Sequence, residues 1–133
     1  MALLRGITWD HKRGYAPLVA TTAEYKKINP EFDIVWDIRS LKDFGDYPID
    51  LLADKYDLLM IDHPFIGSGV KKNILVPLDD WIPVAFLQKQ EKNSVGPSYK
   101  SYTWEGKQYA LAVDAAAQVA AFRKDLLERF DLE

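Results

Sequence analysis

The sequence predicts an α/β fold, a three-layer αβα lobe with a mainly parallel sheet. The first observation is an order of short apolar runs that alternate with stretches of helical periodicity. We expect strands at about 3–9, 33–38 and 57–62, and helices near 16–28 and 48–55. The second observation is length, because 133 residues allow one continuous core. Strand–helix–strand order predicts right-handed crossovers and helices on both faces of the sheet.

The three strands are predicted from their apolar patterns. The run Leu3–Trp9 is short and apolar, as in a buried strand. Phe32–Ile38 alternates apolar and polar residues, which is typical of a half-buried strand. Asp57–Asp62 is an apolar run bracketed by acids, which indicates a strand buried on both faces.

The two helices are predicted from apolar spacing and from proline. We interpret 10–14 as a polar loop, so the first helix should start around Pro17, whose missing N–H costs nothing in a first turn. That helix should end at Asn29. The second helix should have Asp46 or Tyr47 near its N-cap.

The second half of the chain gives weaker patterns. Residues 77–83 predict an extended segment that runs into a short helix, and 94–98 predict a loop. Tyr99–Trp104 and Gln108–Val113 flank a Gly106 turn and indicate a hairpin. The alanine-rich end, 115–130, fits one long helix or a strand followed by a helix, and periodicity leaves both open.

Composition excludes several classes of function. A net charge of −3 argues against an extended nucleic-acid surface. Zero cysteines exclude disulfides, thiol nucleophiles and cysteine-bound metals. No apolar run approaches the roughly 20 residues of a membrane span. Met1–Gly6 is too short before its first charge to be a signal peptide, so either a signal was removed or the protein stays inside the cell.

Polar and aromatic side chains follow the predicted strands at their carboxyl ends. In an open parallel sheet these ends form one rim, where ligands bind. The candidate ligand-binding residues are Trp9, Asp10, His11, Asp62, His63, Phe65 and Asp114. Aromatic rings cover the apolar face of a pyranose, and a carboxylate accepts hydrogen bonds from two neighbouring hydroxyls. The sequence therefore favours a sugar site at this rim.

Each candidate residue also has a purely structural interpretation. Asp10 and Asp62 fit a helix cap or a turn equally well. A histidine beside a proline is more often a surface residue than a ligand group. The two histidines have no third ligand at metal spacing, and no phosphate-loop pattern follows the glycines at 67 and 69. Large aromatics are mostly buried, so Trp36, Trp81 and Trp104 are predicted as packing residues.

The order of these motifs resembles the sugar-binding type of solute-binding proteins of bacterial ABC transporters, the maltose-binding-protein-like group. No single motif is specific, and their order and spacing over nearly the whole chain carry the resemblance. Ala112 departs from the proline usual in that family, and the loop 10–14 is unusually charged. The matching segments are Trp9 with its polar loop and Gly14, Tyr25–Pro30, Asp33–Ile38, Tyr56–Asp62, Pro77–Asp79, Tyr102–Leu111, Asp114 and Phe122–Leu127.

The resemblance implies a receptor rather than an enzyme. Residues 1–115 would form the N-terminal ligand-binding lobe, and 116–133 a crossover strand at 118–123 and a helix from Asp125 that lead to a missing second lobe. The solute, a carbohydrate in this group, would be held between two lobes by hinge closure and passed to a membrane permease. The resemblance implies no cofactor, no metal and no nucleic acid, and a periplasmic or extracytoplasmic location.

Three alternatives stay open. The same fold could bind a polyamine, a peptide, an iron complex or an anion such as a phosphorylated sugar, the last favoured by Lys12 and Arg13 beside a helix N-terminus. Asp10, Asp62 and Asp114 could instead form the carboxylate pair of a glycoside-processing enzyme. A flavodoxin- or receiver-like signalling domain is the third, and its expected acidic pair and lysine are not evident.

Overall fold

Strand β1 is the central strand of a three-stranded parallel sheet. The computed structural model describes residues 2–116 and 121–131. The strands are β1 Ala2–Trp9, β2 Phe32–Arg39, β3 Leu58–Leu59, β4 Thr103–Trp104 and β5 Lys107–Gln108. The α-helices are α1 Lys12–Ile28, α2 Leu41–Asp46, α3 Ile49–Ala53, α4 Ile66–Lys71, α5 Val84–Asn93 and α6 Lys124–Arg129, and 3-10 turns cover His63–Phe65, Leu78–Asp80 and Lys100–Tyr102.

The strand order β2-β1-β3 is parallel throughout, which confirms the predicted sheet. Strand β3 is much shorter than the predicted run 57–62. The reason is local: the Asp57 carboxylate accepts the Arg5 backbone N–H at 2.8 Å, so a side chain takes the place of a ladder carbonyl. The run stays attached to β1, because the Met60 N–H donates to the Ile7 carbonyl at 2.9 Å.

Helices cover both faces of this sheet, as the sequence predicts. Helix α1 lies on one face, where Trp36 donates its indole N–H to the Thr22 hydroxyl at 2.9 Å. Side chains alternate along a strand, so Asp37 lies on the opposite face. There the Tyr56 hydroxyl, which follows α3, donates to the Asp37 carboxylate at 2.9 Å.

The expected loop 10–14 is wrong, because α1 already begins at Lys12. His11 is its N-cap, and the imidazole Nδ1 accepts the Arg13 backbone N–H at 3.1 Å. Histidine is not among the usual N-cap residues, so no capping pattern in the sequence predicts this start. Pro17 consequently lies inside the helix and does not begin it.

The cap predicted near Asp46 or Tyr47 is confirmed to within one residue, because the N-cap of this helix, α3, is Pro48. An additional helix, α2, ends at Asp46, and α3 begins after Pro48 without a side-chain cap. The N-cap of α2 is Ser40, whose hydroxyl oxygen accepts the Asp43 N–H at 3.1 Å. Serine is a favoured N-cap residue, so Ser40 directly before Leu41 is the sequence feature that indicates the start of α2.

The hairpin β4–β5 confirms the prediction around Gly106, although its strands have two residues each. Glu105 and Gly106 both have positive φ, 49° and 80°, as a two-residue type I′ turn requires. Gln108 anchors the hairpin: it is 3% exposed, and its amide donates to the Tyr99 and Ala110 carbonyls at 3.0 and 2.7 Å. The turn therefore has a fixed place on the core.

The core beside the hairpin is built on three buried isoleucines, Ile49, Ile61 and Ile66. Trp104 packs against them, and Trp36 is half-buried, as predicted for both. Trp81 is not a core residue of this chain, because its ring follows a 3-10 turn and is 77% exposed, and packing against a second lobe stays a prediction. The half-buried rings packed on the isoleucines are Phe65, Tyr102, Trp104 and Tyr109.

The end of the chain is described in part. The crossover strand predicted at 118–123 overlaps residues outside the described ranges, and 121–123 pair with no strand. Helix α6 begins at Lys124, which confirms the predicted helix from Asp125. Among the described helices, none is both long and apolar enough to cross a membrane.

We predict that Gly14→Ala destabilises the protein although Gly14 lies within a helix. An added Cβ would stand 2.5 Å from the Trp9 ring, and overpacking of this kind costs about 1–3 kcal/mol. Gly45→Ala is the matched control, since no atom lies within 4 Å of its Cβ and alanine should gain up to about 1 kcal/mol in a helix. Urea unfolding gives both free energies, and equal stability of the two variants would contradict the predicted packing.

We predict that Asp37→Asn removes a pH-dependent contribution to stability. Hydrogen bonds from Tyr56 and Arg5 hold the pKa of Asp37 below its ordinary value. A lowered native pKa stabilises the fold above the unfolded value of about 3.9, and the effect is lost as pH falls through the native pKa. Unfolding free energies of wild type and variant should therefore differ most near neutral pH and converge in acid. Asp54→Asn, on an exposed residue away from this contact, is the control and should change the free energy of unfolding by less than about 0.5 kcal/mol near neutral pH.

Candidate functional site

The end of β1 places Trp9 in the interior. Its side chain is 8% exposed, lies against Gly14 and meets the Phe44 ring at a centroid distance of 5.1 Å. The expectation that Trp9 offers an open ring to a ligand is therefore wrong. The periodicity of a short apolar run does not reveal on which side its last residue packs.

Asp10 and His11 lie at the surface beside Trp9. Both are exposed, and the Asp10 backbone N–H donates to the Arg39 carbonyl at 2.7 Å, which joins the ends of β1 and β2. Asp10 is not the helix cap, because His11 has that role. Since His11 Nδ1 accepts a hydrogen bond, its neutral ring carries the proton on Nε2 and can donate it outward.

Asp62 and His63 follow β3 and form a surface pair. The Asp62 carboxylate accepts the His63 backbone N–H at 2.9 Å and so caps the 3-10 turn His63–Phe65. The His63 Nδ1 atom lies 3.3 Å from the same carboxylate oxygen. Both side chains remain about half exposed, at 52% and 58%, so Asp62 is a turn residue and an accessible acceptor at once.

Phe65 contributes more to the core than to the surface. Its ring is half-buried and packs against the isoleucine cluster. The residue ends the 3-10 turn that begins at His63. Its position therefore fixes the turn, while the remaining exposed part of the ring faces solvent.

Asp114 is joined to the start of α1. Its carboxylate lies 3.6 Å from Arg13 Nη2, and its side chain is 26% exposed. This contact connects two points that are one hundred residues apart in the sequence. Asp114 also lines a shallow depression of about 220 Å³ with Asn93 and Ser94 at the end of α5.

Tyr102 lies near the segment that holds Asp62 and in the electric field of Asp62 and Asp114. Its hydroxyl donates a long hydrogen bond, 3.5 Å, to the carbonyl of Ile61. Burial raises the pKa of Tyr102, and the Asp62 and Asp114 carboxylates raise it further. Both carboxylates are thus close enough to act on one hydroxyl.

Four residues are therefore linked: Tyr102 bonds to the carbonyl next to Asp62, the charges of Asp62 and Asp114 both raise the pKa of Tyr102, and Arg13 contacts Asp114. We name these four residues the rim cluster. Asp10, His11 and His63 are exposed surface residues that are close in sequence to members of the rim cluster. Trp9 is buried and offers no open ring to a ligand there. Sequence reasoning missed Tyr102 as a site residue, because its position depends on where the hairpin packs.

The rim cluster offers hydrogen-bond chemistry rather than metal chemistry. It holds two carboxylate acceptors, a guanidinium donor and a hydroxyl that can do both. Within residues 2–116 and 121–131, no three histidine, aspartate or glutamate side chains come together as a metal site. Such a set of groups suits a ligand with several hydroxyls.

The fold matches a known class of binding proteins. The ABC substrate-binding protein Lmo0181 from Listeria monocytogenes, solved in complex with cycloalternan, aligns with a TM-score of 0.56 and 16% identity. The match covers 99% of this chain and 34% of the Listeria chain, so the chain spans about a third of that protein's length. No protein family and no curated protein matches the sequence.

At this identity the comparison establishes architecture alone. It confirms the predicted α/β class, with a mainly parallel sheet between helices, as periplasmic-binding-protein-like. It also agrees with the family resemblance that the motif order indicated. The chain therefore has the fold of part of an ABC substrate-binding protein.

Proposed function

We propose that this chain is the N-terminal lobe of a carbohydrate receptor that serves an ABC importer. The observation that carries the proposal is the rim cluster, in which Arg13 lies 3.6 Å from the Asp114 carboxylate and the Tyr102 hydroxyl donates to the carbonyl of Ile61, next to Asp62. Residues 1–115 form the ligand-binding lobe in this proposal, and 116–133 lead to a second lobe. The neighbour of the same fold was solved in complex with a carbohydrate, cycloalternan, which supports the ligand class.

The chemistry of the rim cluster suits vicinal hydroxyls. In the proposal, Asp62 and Asp114 each accept hydrogen bonds from neighbouring sugar hydroxyls, because a carboxylate has acceptor positions for both. The Tyr102 hydroxyl makes only a long hydrogen bond, 3.5 Å, to the Ile61 carbonyl and can instead donate to a ring or glycosidic oxygen. Arg13 keeps Asp114 oriented, since its guanidinium is 3.6 Å from that carboxylate.

The remaining predicted residues have supporting roles in this proposal. Asp10, His11 and His63 are exposed and contact the solute at the edge of the site. Phe65 offers the uncovered part of its ring to the apolar face of a sugar. Trp9 acts indirectly, because its contact with Gly14 holds the end of β1 against the start of α1.

Transport would need both lobes and a membrane partner. Hinge closure buries the ligand and strengthens its polar bonds by excluding water, so this lobe alone should bind weakly. Outside the cytoplasm, the closed receptor would pass its solute to the membrane permease of the importer.

We predict that Asp62→Asn and Asp114→Asn each weaken saccharide binding. The loss of a charged acceptor should cost about 1–3 kcal/mol, a factor of roughly 5 to 150 in affinity. Isothermal titration calorimetry on the two-lobed protein measures it, with a panel of mono- and oligosaccharides. Asp54→Asn lies on the exposed end of α3 and should bind like wild type. If both rim variants bind as tightly as Asp54→Asn, the ligand does not use these carboxylates.

We predict further that the protein leaves its glycan unchanged. Hydrolysis requires a water or a nucleophile placed against the anomeric carbon, which a binding receptor does not supply. Prolonged incubation should therefore release no reducing sugar. Chromatography of the recovered ligand checks this result. Hydrolysis by wild type that is lost in Asp62→Asn or Asp114→Asn would show an enzyme instead.

A further inference from the structure

A second concave surface adjoins the rim cluster. It is a cleft of about 520 Å³ between α4 and the segment that leads into the β4–β5 hairpin. This volume is within the range of small-molecule sites, roughly 300–1,000 Å³. His63 lines the cleft and also contacts Asp62 of the rim cluster, so the two surfaces adjoin at this residue. The polar side chains along its wall are His63, Ser68, Lys71, Ser101 and Thr103.

The wall of this cleft differs from the rim cluster in charge. No carboxylate is among its lining residues, and the ammonium of Lys71 is a cationic donor there. Lys71 forms no ion pair within the described chain. The neighbouring Lys72 contacts Asp50 at 2.7 Å, and Lys107 contacts Asp80 at 3.1 Å. Lys71 therefore brings an uncompensated positive charge to the cleft.

An aromatic ring forms the other wall. Trp104 lies against the backbone of α4, where a Cβ on Gly67 would come within 2.7 Å of the ring. The ring also packs on the isoleucine cluster, so its orientation is fixed. Lys71 Nζ is 5.9 Å from the ring centroid, near the outer limit of a cation–π contact. A ligand can therefore draw this ammonium away from the ring at little cost.

We propose that this cleft binds an acidic sugar unit, a pyranose that carries a carboxylate. The apolar C–H face of the ring packs on Trp104, and the carboxylate takes the ammonium of Lys71 as its counterion. The hydroxyl oxygens of Ser68, Ser101 and Thr103 lie around it as acceptors for the sugar hydroxyls, since each already donates its own proton within the protein. Because His63 joins the cleft to the rim cluster, the next unit of the same chain occupies the rim. The solute class is then an acidic oligosaccharide, an inference that rests on the proposed sugar-binding function.

The test compares two disaccharides by NMR titration of the 133-residue chain. Digalacturonate is the acidic probe, and its carboxyl-reduced counterpart is the neutral probe. Digalacturonate should bind more tightly and shift the amide signals of Gly67 and Ser68 and the indole signal of Trp104. Added salt should reduce this preference, since exposed charges are screened.

Lys71→Gln isolates the charge. Lys71 is exposed, so its loss should weaken digalacturonate binding by roughly two- to fivefold and leave the neutral disaccharide unaffected. Lys89→Gln is the matched control, an exposed lysine on α5 away from the cleft, and should change neither affinity. Lys71→Glu should weaken digalacturonate binding further than Lys71→Gln, because attraction becomes repulsion.

The outcomes separate the two proposals. Equal affinity for both disaccharides, unchanged in Lys71→Gln, would overturn the acidic cleft while the rim remains a sugar site. Sodium sulfate that displaces digalacturonate and gives the same shifts at equal concentration would show that the cleft binds anions without needing a sugar ring, which also overturns the proposal. If neither disaccharide shifts any signal, including those of Asp62 and Asp114, and calorimetry on the two-lobed protein detects no saccharide of the panel, the sugar-binding function itself fails.

Discussion

The close contact of Trp9 with Gly14 determines how the end of the central strand meets the first helix. The ring occupies the space that any side chain at position 14 would need, and the Thr8 hydroxyl donates to the Gly14 carbonyl at 3.1 Å. Thr8 is fully buried, so this hydrogen bond has no competition from water. The start of α1, with Arg13, is thereby held beside the carboxyl end of β1. In this position Arg13 is the counterion of Asp114.

The carboxylates of this chain divide into two groups by their partners. Asp37 accepts hydrogen bonds from Tyr56 and Arg5, and Asp50 accepts one from Lys72, so these groups serve the fold. Within residues 2–116 and 121–131, Asp62 and Asp114 have side-chain partners at 3.3 and 3.6 Å, and Asp62 also accepts the turn N–H of His63. Carboxylates with spare acceptor capacity at the open end of a parallel sheet are suited to a ligand. This difference, more than sequence position, distinguishes the site from the scaffold.

Much of the fold could be predicted from local patterns. Strands β1 and β2, the helix ending near Ile28 and the hairpin around Gly106 follow from periodicity and turn chemistry, which act over a few residues. The start of α1 could not be predicted, because a histidine cap is unusual. Asp62 and Asp114 were identified from their positions after apolar runs. Tyr102 was not, since its place in the rim cluster depends on the packing of the hairpin against Ile61. Trp9 was misplaced for a related reason, as burial of a strand's last ring depends on the helix that crosses it.

The central claim is that segments around residues 62, 102 and 114 meet at one rim, and the pKa of Tyr102 reports on it directly. Burial and both carboxylates raise this pKa above its ordinary value. NMR titration of the ring carbon that bears the hydroxyl, with labelled tyrosine, measures it in the ligand-free chain. The account predicts an elevated pKa that falls in Asp62→Asn and in Asp114→Asn and stays unchanged in Asp54→Asn. A Tyr102 that titrates at its ordinary value of about 10, and that neither rim variant affects, would contradict the account.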